Sequence, residues 1–326
     1  MSRLLVTGGA GYVGSVVTAH LLMAGHSVCV LDSLAGGGEG LLGFMSHPRF
    51  RFVQGDVRDA ATLAVALEGS VAAVHLAAVV GEPACAVDEA NARSVNVDGM
   101  RSILAAADDS GIGRLIVVST CSNYGVSNPD ELATEESSLR PLGIYARSKV
   151  EAEQMALAHG GVPTHVLRFG TICGLSPHMR FDLLVNDMAR AAALGESIQI
   201  FAPYAWRPFL HIRDAGRAVE WCLQTDTSTV NRRVFNVVSD NYQKRGLVDL
   251  VRRHFPSADV ELTDAIPDAR DYRVSAARIR EEGGFTPAYT VEDAFLEVAA
   301  AVRAGVFRDP KWSGHAAAPA MLRPLR

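Results

Sequence analysis

Thr7-Gly8-Gly9-Ala10-Gly11-Tyr12-Val13-Gly14 follows a short apolar strand, Arg3 to Val6, and leads into a helical pattern, Val16 to Met23, that ends at Gly25. A second strand, Ser27 to Leu31, closes on Asp32. Together these make a β-α-β unit whose turn carries glycines at Gly8, Gly11 and Gly14. One glycine lets the chain turn tightly, another lets the backbone approach a pyrophosphate, and the third lets helix and strand pack closely. The pyrophosphate then rests on the helix N-terminus, where free N–H groups and the dipole favour an anion. Asp32 stands about 20 residues further on at a strand end, as a dinucleotide fingerprint requires. Its carboxylate can accept hydrogen bonds from adenosine ribose hydroxyls and would repel a 2′-phosphate, which favours NAD over NADP.

Working outward, strand-like Phe50 to Val53 leads through a short helix to Leu67. Val71 to Leu76 is another buried strand, Asn91 to Ala107 a long helix, and Arg114 to Ser119 a further strand. Alternating strands and helices imply an α/β fold of Rossmann type, a doubly wound parallel sheet with helices on both faces. Ligands of such sheets bind beyond the carboxyl ends of the strands. Thr120 sits at one of these ends, and Tyr145-Ala146-Arg147-Ser148-Lys149 lies on the helix that follows. Residues four apart share a helix face, one turn from each other. A phenol, with a reference pKa of about 10, is a poor base at neutral pH, but a cation held close lowers that value. Tyr145, Lys149 and a nearby hydroxyl are the equipment for taking a proton from an alcohol beside a hydride acceptor.

From about Leu175 the character changes. Ser176 to Arg180 is loop-like; a helical Phe181 to Leu194, a strand-like Ser197 to Phe201 and a Pro-rich loop to Phe209 follow. Asp214 to Leu223 and Val234 to Val238 return to the first domain, and Val291 to Val302 is a late helix. The expected organisation is a nucleotide-binding domain over 1–175 rejoined by about 210–240. Residues 176–209 and 241–310 form a smaller, discontinuous α/β lobe, and 311–326 a loosely held tail.

Composition narrows the function. A net charge of -5 over 326 residues argues against nucleic acid or an anionic membrane as partner. No apolar run approaches the roughly 20 residues needed to span a bilayer, and the N-terminal apolar segment is too short for a signal peptide. The 5 cysteines are scattered without C-x-x-C spacing and the 10 histidines lack metal-ligand spacing. No disulfide framework and no metal site are expected, and the setting is reduced and cytoplasmic.

The motifs resemble the extended short-chain dehydrogenase/reductase superfamily, in its nucleotide-sugar epimerase/dehydratase branch. The matching pieces are the glycine turn, Gly55-Asp56-Val57, His75-Leu76-Ala77-Ala78, Ser119-Thr120-Cys121-Ser122-Asn123-Tyr124-Gly125, Tyr145 to Lys149, and Arg207-Pro208-Phe209-Leu210-His211-Ile212-Arg213-Asp214. The resemblance implies that Gly8, Gly11, Tyr12, Val13, Gly14, Asp32 and Ser33 bind NAD. Asp56 and Val57 would contact the adenine, while Leu76, Ala77 and Ala78 line the pyrophosphate and ribose. Thr120, Tyr145 and Lys149 take the hydroxyl, base and lysine roles, and Tyr145 and Lys149 also touch the cofactor. His75, in an apolar strand, reads as a satisfied core histidine. The implied partner is a nucleotide-diphosphate sugar, and the implied assembly a homodimer through Asn91 to Ala107 and Gly143 to His159.

Departures from that branch matter. Its dehydratases carry an Asp-Glu pair after the active-site threonine, where this chain has Cys121-Ser122; without a carboxylic acid, acid-assisted loss of a hydroxyl lacks its proton donor. Cys121 is the one substitute on offer. Asn123 either turns its amide to a sugar hydroxyl or caps a turn. Thr171 replaces an asparagine that contacts the substrate. Arg207 is the leading diphosphate anchor, because guanidinium suits bidentate phosphate recognition; Arg270 and Arg273 are secondary, and a surface salt bridge is the competing reading for each. Asn186 has two readings, a nucleotide contact or a solvated helix face, and Asp214 reads as an N-cap. The expected reaction is NAD-dependent epimerisation through a 4-keto sugar, with 4-ketoreduction as the alternative. Dehydration, uronate decarboxylation and a non-catalytic NAD-binding role rank below these.

Overall fold

The apolar runs of the first half pair as β1 (Arg3–Thr7), β2 (Ser27–Asp32), β3 (Phe50–Gln54), β4 (Ala72–His75) and β5 (Leu115–Thr120). The chain continues through β6 (Leu132–Ala133), β7 (Thr164–Phe169), β8 (Thr171–Cys173), β9 (Ile198–Phe201) and β10 (Trp206–His211). Last come β11 (Arg233–Val237), β12 (Asp240–Gln243), β13 (Val260–Thr263) and β14 (Arg273–Val274). This computed structural model describes residues 2–126, 131–264 and 270–310; the tail expected over 311–326 lies outside the described residues.

Seven strands form one sheet in the order β11-β7-β5-β4-β1-β2-β3, and all neighbours are parallel. Strands covered on both faces read as continuous apolar runs, which is why Leu4-Leu5-Val6 and Val28-Cys29-Val30-Leu31 are buried without alternation. The strand order reverses between β1 and β4. A crevice at the carboxyl ends opens at that point, flanked by the glycine turn that leaves β1 and the Leu76–Val80 stretch that leaves β4.

Three expectations change. The first helix spans Tyr12–Met23, starting inside the glycine motif rather than at Val16. Gly14 lies in its first turn, where a Cβ would sit 2.0 Å from the Gly8 carbonyl oxygen, so that glycine reflects close packing and not a loop. The segment expected as one helix over Asn91 to Ala107 is helix Glu89–Arg93, a π-helical turn Ser94–Asp98 and helix Gly99–Ser110. The Pro-rich loop before Phe209 is partly β10, whose extended backbone suits the fixed φ of Pro208.

β10 lies between β8 and β12 in a three-stranded sheet. Beside it a separate core gathers Phe181, Met188, Ile200, Phe209, Val251, Phe295 and Val298. Helix Leu184–Leu194 packs there against helix Val291–Arg303. Each large side chain fully withdrawn from water contributes about 1.5–3 kcal/mol, and Tyr12 of the first helix joins the same cluster.

Candidate active site

The glycine turn is held from below. Gly8 has φ +73, and a Cβ there would fall 2.7 Å from the Ala77 amide nitrogen, so only glycine lets the turns after β1 and β4 approach this closely. Asp32 Oδ2 accepts the Ala10 N–H at 2.9 Å and Oδ1 accepts the Leu34 N–H at 2.8 Å. A carboxylate has about four acceptor positions, so two remain for ribose hydroxyls. Thr7 Oγ1 contacts His75 Nδ1 at 2.9 Å and accepts the Ala77 N–H at 3.3 Å. Burial and the neighbouring Lys149 charge push the His75 pKa down to about 3, leaving a neutral ring that orients Thr7. The cradle therefore fits a dinucleotide: a narrow turn on a helix N-terminus with an acid at the next strand end.

Other cofactor candidates divide. Asp56 lies in the turn after β3, paired with Arg58 at 2.5 Å; hydrogen bonds from that guanidinium hold its carboxyl below the usual range. Val57 is 5% exposed and packed in the core, so its side chain is withdrawn and only its backbone is left for an adenine. Tyr12 is likewise turned inward, its hydroxyl donating to the Gly174 carbonyl at 2.7 Å. Val13 packs between two cores. Leu76, Ala77 and Ala78 are partly buried at the end of β4, and Ser33 is exposed.

On the β5 side, the Tyr145 phenol hydrogen-bonds the Thr120 side chain. Thr120 Oγ1 also accepts the Ser122 N–H at 3.1 Å. Burial drives the phenol's pKa well up, with the Thr120 hydrogen bond and the Arg180 charge acting against it. Lys149 is 6% exposed and donates from Nζ to the Val118 carbonyl at 2.7 Å; burial pulls its pKa down to about 8 while Glu153 pulls it back up. The helix carrying both, Ile144–Ala158, has no cap from its own N-cap residue. Glu82, on the short helix after β4, supplies one, accepting the Tyr145 and Ala146 N–H groups at 3.2 Å each.

The π turn has a comparable task. π turns recur at functional sites, and here Asn96 is 2% exposed. Its Oδ1 accepts the Val79 N–H at 2.8 Å, and its Nδ2 donates to the Val79 carbonyl and to Ser148 Oγ at 2.9 Å. One amide thus ties the turn after β4 to the helix bearing Tyr145 and Lys149.

The substrate candidates separate into those near the phenol and those sealed away. Tyr272, 2% exposed, donates to Ser122 Oγ at 3.3 Å, and its ring lies 5.6 Å below the Arg207 guanidinium. Arg207 is 4% exposed and donates from Nη1 to the Trp206 and Arg270 carbonyls; it is a buried cation and not a surface salt bridge. Arg273 stacks at 5.0 Å over Trp206. Thr171 opens β8, partly exposed and registered against Phe209.

Four expectations are corrected because buried polar groups must find partners. Cys121 is 1% exposed with Sγ–H donating to the Arg168 carbonyl, and burial raises its thiol pKa strongly. Asn123 is fully buried, donating to Ser119 and Glu153, so it neither meets a sugar nor caps a turn. Asn186 is also fully buried, accepting the Gly174 N–H and donating to Tyr12 Oη and the Arg180 carbonyl; it reaches neither nucleotide nor solvent. Asp214 is not the N-cap, a role taken by His211; it accepts the Ala288 and Tyr289 N–H groups. Sequence reading passed over Glu82, Asn96, Arg180 and Tyr272. Only Tyr272 left a signal, lying between Arg270 and Arg273, the two secondary anion candidates.

A glycine turn built for a dinucleotide, with tyrosine, lysine and threonine at the carboxyl edge of the same parallel sheet, defines the class: a Rossmann-fold enzyme that uses a nicotinamide cofactor. The chain belongs to the NAD dependent epimerase/dehydratase family, which matches residues 4–238. It is 32% identical over 313 residues to the dTDP-glucose 4,6-dehydratase of Streptomyces griseus, covering 90% of this chain and 91% of that protein. It is 28% identical over 322 residues to the UDP-glucose 4-epimerase of Corynebacterium glutamicum, covering 90% and 94% respectively. Among solved structures, the dTDP-glucose 4,6-dehydratase of Streptomyces venezuelae, crystallised with NAD, superposes with a TM-score of 0.83 at 28% identity over 95% of this chain and 100% of that one. The family is thereby fixed; these relatives span two reactions and do not choose between them. No helix among the described residues is long and apolar enough to cross a membrane.

Proposed function

We propose that this chain epimerises a nucleotide-diphosphate sugar through a transient 4-keto intermediate. Tyr145, as phenolate, takes the proton of the C4 hydroxyl, and Thr120 hydrogen-bonds the same oxygen. Lys149 holds the nicotinamide ribose, and the Arg180 charge favours the ionised phenol. When bound, NAD supplies the hydride acceptor and later the donor. Ser122 and Tyr272 are assigned to the sugar hydroxyls and Arg207 to the diphosphate, with Arg270 beside it. The ketosugar turns over in the pocket so that the other face of C4 is presented for reduction, and Tyr145 returns its proton to the C4 oxygen. The assembly proposed is a homodimer through helices Gly99–Ser110 and Ile144–Ala158, to be tested by light scattering.

One observation carries the preference for epimerisation over water loss. Positions 121 and 122 hold no carboxylic acid, and Cys121 is a buried thiol whose pKa burial has raised, which makes it a poor acid at neutral pH. The carboxylates packed nearby are engaged elsewhere: Glu153 with Arg168 and Glu135 with the Asn236 N–H. The deciding experiment incubates the purified protein with UDP-, dTDP-, GDP- and CDP-sugars without added cofactor. Appearance of the C4 epimer supports the proposal. A 4-keto-6-deoxy product, or stoichiometric NADH with no isomerised sugar, overturns it.

A further inference from the structure

We infer that Glu153 is a positioning residue that keeps Lys149 charged for its contact with the cofactor. The inference rests on the assignment of Lys149 to the nicotinamide ribose. Glu153 follows Lys149 by one turn on helix Ile144–Ala158, and the two are 1% and 6% exposed. Successive residues of β5 hold the two turns. Val118 accepts the Lys149 ammonium through its carbonyl at 2.7 Å, and Ser119 donates its hydroxyl to Glu153 Oε2 at 2.6 Å.

Two further residues fix the carboxylate. Asn123 Nδ2 donates to it at 3.2 Å, and Arg168 donates from Nε at 3.1 Å and from Nη2. Arg168 lies opposite Ser119 in the β5–β7 register. Its Nη1 donates at 2.8 Å to Tyr124 Oη, which in turn donates to Asn236 on β11. The network therefore ties three strands to the helix that carries the proposed base.

A buried ion pair is by itself weak evidence for stability, since apolar side chains of similar volume often do as well. Its consequence here is local. The groups set against Lys149 are Val118 on β5, Glu153 one turn along its own helix, and His75 on β4, which burial keeps neutral. Arg168 on β7 faces the carboxylate rather than the amine. Glu153 is thus the one anion among these groups that opposes the loss of the ammonium's proton on burial.

The test measures NAD affinity from pH 6 to 10 by intrinsic fluorescence on the full chain freed of nucleotide, for wild type, Glu153→Gln and Glu153→Asp. Wild-type affinity is expected to fall as pH passes the Lys149 pKa. In Glu153→Gln that fall moves about one pH unit lower, giving about fivefold weaker binding at pH 8 and about tenfold at pH 9, with equal affinity at pH 6. Glu153→Asp, which keeps the charge, retains the wild-type midpoint. Uniformly weaker binding of Glu153→Gln at every pH, or an unmoved midpoint, overturns the inference. If the glutamine variant does not fold, the aspartate variant decides, a displaced midpoint counting against and an unchanged one for. A wild-type affinity that is flat across the range would instead sink the assignment of Lys149 to the cofactor, and the inference with it.

Discussion

Replacing Lys149 with methionine removes a charge that the fold holds against its own stability. Lys149 is 6% exposed, and burial draws its pKa from 10.5 to about 8. A shift of that size corresponds to about 3 kcal/mol. Below pH 8 the folded and unfolded chains both hold the proton, and the destabilisation is fully present. Between pH 8 and 10.5 the unfolded chain binds more protons than the folded one, so stability from this group rises with pH; above 10.5 the effect is gone. Methionine keeps the aliphatic volume but forfeits the hydrogen bond to the Val118 carbonyl, a loss of about 1–1.5 kcal/mol. The variant is therefore expected to be about 1–2 kcal/mol more stable than wild type at pH 7 and about 1 kcal/mol less stable near pH 10.5. Paired urea titrations at pH 7, 8.5 and 10, without nucleotide, read the difference directly. A gap between the two proteins that stays constant from pH 7 to 10 refutes the reasoning.

Tyr145→Phe should lower isomerisation by at least about 100-fold while NAD affinity, read by equilibrium dialysis, stays within about threefold of wild type; comparable turnover would remove the phenol from the mechanism. Gly14→Ala places a methyl 2.0 Å from the Gly8 carbonyl oxygen, so NAD binding should vanish in calorimetry, with about 3 kcal/mol of stability lost. Asn96→Ala strips the part-buried Val79 N–H of its partner; a loss of about 1–3 kcal/mol in chemical denaturation is expected, with kcat falling more than cofactor affinity. Cys121→Ala should keep turnover within about twofold, whereas a general-acid role would require a fall of about 100-fold or more.

The sheet and its cofactor edge were legible because they rest on local signals. Glycine spacing, an acid at a strand end and apolar runs of strand length are each set within about 30 residues. What escaped depends on partners far along the chain. Asn186 gave no sign that its amide is held by Tyr12 and Gly174, and Asn123 none that Glu153 and Ser119 enclose it. Each was given a ligand contact as one of two readings because a polar residue near a motif invites it, whereas burial was decided by packing between distant segments. The π turn was hidden for a different reason: Asn91 to Ala107 keeps a helical apolar pattern, and one added residue in a turn barely disturbs that periodicity. Pro208 was taken for a loop because its missing N–H counts against a strand, yet β10 accommodates it.

The sheet is finished late. β11, built from residues 233–237, forms its border beyond β7, and helix Ile212–Gln224 packs on the first helix. A fragment cut near residue 175 would bare the backbone groups along β7 and strip Ser15 of its contact with Ser176. Uncovered strand edges recruit other chains. Such a half-protein would clump during expression instead of serving as a portable nucleotide-binding module, and a nascent chain cannot complete this sheet until the ribosome has passed Val237.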